Sequence, residues 1–410
     1  MLNGKLVLPR HIFPVLLGEA LEAYDFFLYG LLSIYFSKIF FPQSNNSLTF
    51  AFLLFSIAYL ARPIGACFWG HIADKYGRKT ALIGTLSLMA IPAIGMAIMP
   101  SYESIGITAC FLVLVLRLLQ GIAFGGESPT VIVTLYEMAP KNKKGLYGSF
   151  YNPGLLVGYL VGIVLMIVLN YVFGDKNMQT FGWRFMFGLS LIFIVVLSYI
   201  RLKLIETSTT THQSSFPILT TIKYDLTAIL KVFLYVSCAT VMFWNLLFHN
   251  YLIIWADYFG SQSLVLQAFI VLFVILSIPC IGYLSDKVNK LTLLKINFIC
   301  ITVLAPFLYM MFITKQLPYM IFGYFIFAIF TGITCALSPA IIVPQVSKNC
   351  RVSSIGLSAG FTVIFGSFVP AINEILKSLT NIIWSPAILI SLCALISLVT
   401  LYTLKTEDIQ

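Results

Sequence analysis

Hydrophobic residues in this chain come in long runs and not in alternation. Twelve runs stand out, at 12–36, 49–71, 79–99, 106–136, 146–171, 183–201, 229–258, 264–284, 292–312, 317–343, 352–375 and 381–403. A helix rises about 1.5 Å per residue, so each run is long enough to cross about 30 Å of hydrocarbon. The pattern predicts an all-α polytopic membrane protein with twelve transmembrane helices. Most breaks between runs are short. The exception is 202–228, rich in Ser and Thr and holding Pro217. It reads as a linker between an N-terminal six-helix bundle (1–201) and a C-terminal six-helix bundle (229–410).

A repeat supports the division. Gly70-His71-Ile72-Ala73-Asp74-Lys75 follows the second run, and Gly282-Tyr283-Leu284-Ser285-Asp286-Lys287 follows the eighth. The same offset carries Gly148 onto Gly360 and Gly154 onto Gly366, in the fifth and eleventh runs. Several matches at one offset, each in the equivalent span, point to two pseudo-symmetric halves. Parallel halves with solute held between them are a transporter architecture.

Composition narrows the class. Hydrophobic residues make up 60% and charged residues 10% of the chain, where about 25% charged is usual for soluble domains. That excludes a water-soluble enzyme, a disordered chain and a disulfide-rich secreted module. The net charge of +10 is a topology signal. One set of alternating loops carries Lys5, Arg10, Lys75, Arg78, Lys79 and many more cations, with Arg201 counted among them at the end of the sixth run. The other set carries Lys38, Lys176, Arg184, Lys315 and Lys377. The positive-inside rule places the basic loops and both termini in the cytoplasm. Nucleic acid is not an expected partner. The eight cysteines lie mostly inside apolar runs, where they read as small packing residues, and no metal or cofactor motif stands out. The first run holds Glu19, Glu22 and Asp25, so it reads as a membrane helix and not as a cleaved signal.

The loop Gly70-His-Ile-Ala-Asp74-Lys75-Tyr-Gly77-Arg78-Lys79 resembles the signature between helices 2 and 3 of the major facilitator superfamily. Further segments narrow the likeness: Gly18-Glu19-Ala-Leu-Glu22-Ala-Tyr-Asp25-Phe-Phe-Leu-Tyr-Gly30, Ala61-Arg62-Pro63-Ile-Gly65, Arg117-Leu-Leu-Gln120-Gly121-Ile-Ala-Phe-Gly125-Gly126-Glu127, Glu137-Met-Ala-Pro140 and Gly182-Trp183-Arg184. Together they resemble the metabolite:proton symporter branch, which includes proline/betaine, 2-oxoglutarate and citrate transporters. The likeness is denser in the N-terminal half. The second signature copy continues Val288-Asn289-Lys290 and lacks the Gly-Arg pair.

Ionisable residues within spans are costly and usually functional. The resemblance implies that helices 1 and 4 line a central cavity, where their charges meet. Carboxyls in such surroundings bind and release protons near neutral pH, which suits Glu22, Asp25 or Glu127 as proton carriers. Arg117, with Gln120 on the same face, presents a fork that matches a carboxylate. A static ion-pair cluster that orients helices is the competing reading. Arg62 precedes Pro63, which frees a backbone carbonyl that Arg62 can satisfy. His249 is either a proton relay or a hydrogen-bonding helix residue. Gly70, Asp74, Gly77, Arg78, Glu137 and Asp286 read as a cytoplasmic gate whose pairs form in one state and break in another.

The expected function is proton-coupled symport of a small polar metabolite across the inner (plasma) membrane. The solute is a carboxylate or zwitterion such as proline or betaine, or a di- or tricarboxylate. The expected protein is no enzyme, binds solute and protons, and works as a monomer in the bilayer. Two other readings stay open on the sequence: an exporter of the same superfamily for a drug or carboxylate, and a non-transporting membrane sensor.

Overall fold

The computed structural model describes residues 12–41, 56–202, 221, 225–247, 262–313, 316–382 and 384–404. Its elements are helices. Apolar surroundings offer the backbone no water, so each span bonds its own N–H and C=O groups. In chain order the spanning helices are α1 (Ile12–Leu31), α2 (Arg62–Tyr76), α3 (Arg78–Ala97), α4 (Ile107–Met138), α5 (Tyr151–Asn177), α6 (Trp183–Leu202), α7 (Leu226–Trp244), α8 (Gln262–Ser285), α9 (Lys290–Ile313), α10 (Leu317–Ile342), α11 (Arg351–Thr380) and α12 (Pro386–Leu401). Among the described residues nine helices are long and apolar enough to cross a membrane by themselves. The other three are α1 with its three acids, α2, whose described helical residues start at Ser56, and α12 with 16 residues. Short helices Ser33–Ile39 and Lys144–Ser149 extend α1 and lead into α5.

Packing repeats with a shift of six helices. Helix α1 lies on α5 and α6, as α7 lies on α11 and α12. Helix α4 sits against α2 and α3, as α10 sits against α8 and α9, and α3 meets α6 as α9 meets α12. The contacts between bundles obey the same rule, with α2 on α11 and α8 on α5. The architecture is two pseudo-symmetric six-helix bundles. Large apolar side chains such as Ile192, Val195, Leu276, Val303 and Leu392 face outward, a surface suited to lipid.

The sequence-derived boundaries shift in places. Helix α7 begins at Leu226, inside the segment read as linker, and α11 runs to Thr380, so the last span starts later than 381. The larger correction is Arg201. Its place at the end of an apolar run predicts a loop cation. It is buried in the first bundle, where it pairs with Glu22 and Glu127, which have no other cation partner among the described residues.

Candidate functional site

Two carboxylates join the bundles on the face that carries the basic loops. Asp74, near the end of α2, reaches the start of α11. It accepts the Val352 N–H at 3.2 Å, the Ser353 N–H at 2.9 Å and the Ser353 hydroxyl at 2.8 Å. Asp286, just after α8, reaches the short helix Lys144–Ser149. It accepts the Gly145 N–H at 2.8 Å and the Leu146 N–H at 2.9 Å. In both cases the donors are the second and third residues of their helix. Those N–H groups have no acceptor within the helix, and the helix dipole favours an anion there.

Close approach depends on glycine at two positions. A Cβ on Gly70 would lie 3.0 Å from the Ser353 Cα. Gly77, between α2 and α3, has φ 103 and ψ 158, a region other residues enter at a cost of about 1–3 kcal/mol. Gly77→Ala is therefore expected to lower the thermal unfolding midpoint of the purified protein. An unchanged midpoint would show that the turn relaxes without strain.

Arg78 ties this loop to α4. It donates to Asp74 at 3.0 Å and to the Ala73 carbonyl at 2.7 Å, and pairs with Glu137 at 3.3 Å. Arg351 of the second bundle approaches the same Glu137 oxygen at 3.6 Å. Asp225 holds the start of α11 from its other side. It accepts the Ser347 N–H at 3.1 Å and the hydroxyls of Ser347 at 2.6 Å and Ser354 at 2.7 Å. Burial alone would raise the Asp225 carboxyl, but hydrogen bonds from Ser347, Ser354 and Cys350 outweigh it and hold it below the usual aspartate value. No sequence pattern singled out Asp225, because its partners lie on a loop more than a hundred residues away.

Between the bundles lies a cavity with about 140 Å³ open to the centre of a water molecule. Phe26, Tyr59, Arg62, Phe124, Tyr151 and Asn152 line it from the first bundle. Thr240, Phe243, Trp244, Ser338, Ser358 and Thr362 are among the residues that line it from the second. Asn152 crosses the gap and donates to the Cys335 carbonyl at 3.0 Å. Among the described residues Arg62 is the charged residue in the wall. Its guanidinium lies 4.2 Å from the Phe124 ring centre, 5.2 Å from that of Phe26 and 5.6 Å from that of Tyr59. Among the described residues no carboxylate forms an ion pair with it. The expected bond from Arg62 to a carbonyl freed by Pro63 is also absent among the described residues. The arginine instead rests on aromatic faces, which attract a cation.

The charges of α1 and α4 do meet, but inside the first bundle and not in the cavity wall. They form two layers. In one, Arg117 donates to Gln120 at 2.6 Å, and Gln120 donates to Asp25 at 2.6 Å. The Arg117 guanidinium also stacks 4.6 Å from the Tyr29 ring centre. In the other, Arg201 pairs with Glu22 at 2.9 Å and closely with Glu127, and also donates to the Leu82 carbonyl. Thr85 donates to Glu127 at 2.8 Å, and Ser128 donates to Glu19 at 3.2 Å.

The structure thus collects Gly70, Asp74, Gly77, Arg78, Glu137 and Asp286 at the contact between bundles. It groups Asp25, Gln120 and Arg117 in one polar layer and Glu22 with Glu127 in another. Contrary to expectation, those five do not line the cavity. Helix α1 turns its acids toward α4, α5 and α6, while Phe26 and Phe27 face the gap. His249 lies outside the described residues. Arg201 was missed, yet a signal existed: the first bundle's spans hold four acids, Glu19, Glu22, Asp25 and Glu127, against two recognised arginines.

Two related bundles with a polar-and-aromatic cavity between them define a membrane transport protein. Comparison with known proteins makes the class specific. The family profile "Sugar (and other) transporter" matches residues 11–214. The citrate-proton symporter of Klebsiella pneumoniae is 31% identical, over 96% of this chain and 91% of its own. A putative proline/betaine transporter of Staphylococcus haemolyticus is 28% identical, over 97% of this chain and 88% of its own. The solved structure of the proton:xylose symporter XylE bound to 6-bromo-6-deoxy-D-glucose superposes with a TM-score of 0.74 at 16% identity, covering 97% of each chain. The chain belongs to the major facilitator superfamily, in its metabolite:proton symporter branch, and is a multi-pass membrane transporter.

Proposed function

We propose that the protein moves a small carboxylate-bearing metabolite together with protons by alternating access, with Arg62 as the seat of the carboxylate. The observation that carries this reading is the guanidinium of Arg62 in the cavity wall, with no carboxylate ion-paired to it among the described residues. A buried cation of this kind needs an anion, and a planar fork suits a carboxylate. Related proteins are named as citrate-proton and proline/betaine transporters, which fits a carboxylate solute.

The cavity favours a zwitterion over a tricarboxylate. A tricarboxylate brings three negative charges, and among the described residues the wall offers one cation, Arg62. The rings of Tyr59, Phe243 and Trp244 suit the positive or apolar body of a molecule such as betaine or proline. The hydroxyls of Ser338 and Thr362 donate within their own helices and so can accept from the N–H groups of a solute such as proline.

The basic loops lie in the cytoplasm, as the positive-inside rule demands, so both ends of the chain lie there too. The site is a bacterial-type inner (plasma) membrane. The latches at Asp74 and Asp286 then close the cytoplasmic path. Halves 1–201 and 229–410 rock about the cavity, and 202–228 links them. The protein works as a monomer in lipid and performs no covalent chemistry.

The test is uptake into proteoliposomes with an imposed pH gradient, screened across glycine betaine, L-proline, 2-oxoglutarate and citrate. One of the zwitterions is expected to accumulate, and accumulation is expected to collapse when a protonophore dissipates the gradient. Accumulation indifferent to the protonophore would defeat the symport reading.

A further inference from the structure

Apart from the Asp74–Arg78 pair, the described residues of the first bundle bury four carboxyls with three guanidiniums: Glu19, Glu22, Asp25 and Glu127 with Arg62, Arg117 and Arg201. Asp25 and Arg117 balance one another through Gln120. That leaves three carboxyls to share Arg201 and the field of Arg62. One negative charge is in excess, and an uncompensated buried charge is expensive. A proton removes it. We propose that Glu19, Glu22 and Glu127, gathered around Arg201, form a proton-binding site that stands apart from the solute cavity and communicates with it through Arg62. The proposal rests on the symport reading above.

The geometry suits a shared proton. Arg201 holds Glu22 and Glu127 at once. The second carboxylate oxygens of Glu19 and Glu22 are buried without a hydrogen-bond partner among the described residues, so either has room for a proton. The groups facing the site come from every helix around it: Glu19 and Glu22 from α1, Arg62 from α2, Thr85 and the Leu82 carbonyl from α3, Glu127 and Ser128 from α4, Tyr151 from α5 and Arg201 from α6.

Coupling to solute follows from charge. Glu19 lies within electrostatic reach of Arg62, of Glu127 and of Arg201. Tyr151, in the cavity wall, lies within hydrogen-bonding reach of Ser128 and electrostatic reach of Glu19. A solute carboxylate seated on Arg62 takes over the positive field that Glu19 shares. The cluster then binds a proton more tightly, and by linkage the proton tightens solute binding by the same factor. That mutual preference is what carries both in one direction. It needs no proton group inside the cavity.

Infrared spectroscopy of the purified full chain in lipid at pH 7 tests the site without any transport measurement. The wild type is expected to show the carbonyl stretch of a protonated, buried carboxyl, shifted on transfer to heavy water. Glu22→Gln and Glu127→Gln each remove the excess charge and are expected to abolish the band. Glu127→Asp, which keeps a carboxyl, is expected to retain it, and so is the exposed-site control Glu103→Gln. A wild type without the band, or a band that survives both Gln variants, overturns the proposal. A protein that shows these bands yet accumulates solute regardless of the pH gradient would instead defeat the symport reading and leave the proton site standing.

Discussion

Arg62→Ala is expected to abolish solute accumulation while leaving the protein folded. Removing one partner of a buried charge pair costs about 2–5 kcal/mol, and each 1.36 kcal/mol or so is tenfold in an equilibrium. Affinity should fall by roughly 30-fold to several thousand-fold. The fold keeps its ion pairs, because among the described residues the guanidinium contacts ring faces and pairs with no carboxylate, and protonation of Glu19 makes up for the field that Arg62 lends the buried acids. Those contacts are worth about 0.5–2 kcal/mol each way of counting. Arg62→Lys keeps the charge and loses the fork, so it should bind weakly and still transport at high solute concentration. The measurement is glycine betaine and L-proline binding to purified protein beside its thermal unfolding midpoint. Full binding by Arg62→Ala would mean that the carboxylate sits elsewhere.

The same arginine shows what the sequence could and could not reveal. Twelve apolar runs, a repeated Gly-x-x-x-Asp-Lys and the bias of Lys and Arg were enough to lay out twelve helices in two bundles, because hydrocarbon thickness and charge placement act on the chain locally. That Asp74 would sit at a helix start was legible, but which helices Asp74 and Asp286 hold was not. The partners are backbone N–H groups on helices far along the chain, and backbone donors leave no residue signature. The direction of the buried charges was not legible either. On α1, Glu22, Asp25 and Phe26 are near neighbours in sequence, and a modest rotation of the helix decides which faces the cavity. The structure gives the gap to Phe26 and Phe27 and the bundle interior to the acids. Arg201 was misread for a related reason. A long side chain at the end of a span can reach outward to water or inward, and the acids awaiting it decide which.

This separation of charges has a mechanical consequence. Arg62 belongs to α2, and the same helix carries Asp74 near its far end. The proposed solute contact and the proposed latch are therefore built on one helix. A solute that draws Arg62 into the cavity acts on the helix that holds α11 through Asp74, and no separate relay is required.

Asp74→Asn and Asp286→Asn are expected to shift the protein toward the state open on the basic face, and their combination should shift it about as far as the two effects together. Each carboxylate accepts two or three hydrogen bonds at a helix start. An amide keeps part of that bonding and loses the charge. Hydrogen bonds to charged groups contribute about 1.5–3 kcal/mol, and the helix terminus adds about 0.3–1 kcal/mol. Each substitution should therefore move the equilibrium between states by roughly tenfold to a thousandfold. The two latches use different helices, so additivity is the expectation for sites without shared partners. Spin labels placed on the basic ends of α2 and α11, and of α5 and α8, would read the distances directly. Each single variant should raise the population of the longer distance at both latches and the double variant should raise it further, while solute binding to the purified protein persists. Unchanged distances together with lost binding would show that these carboxylates hold the cavity and not the gate.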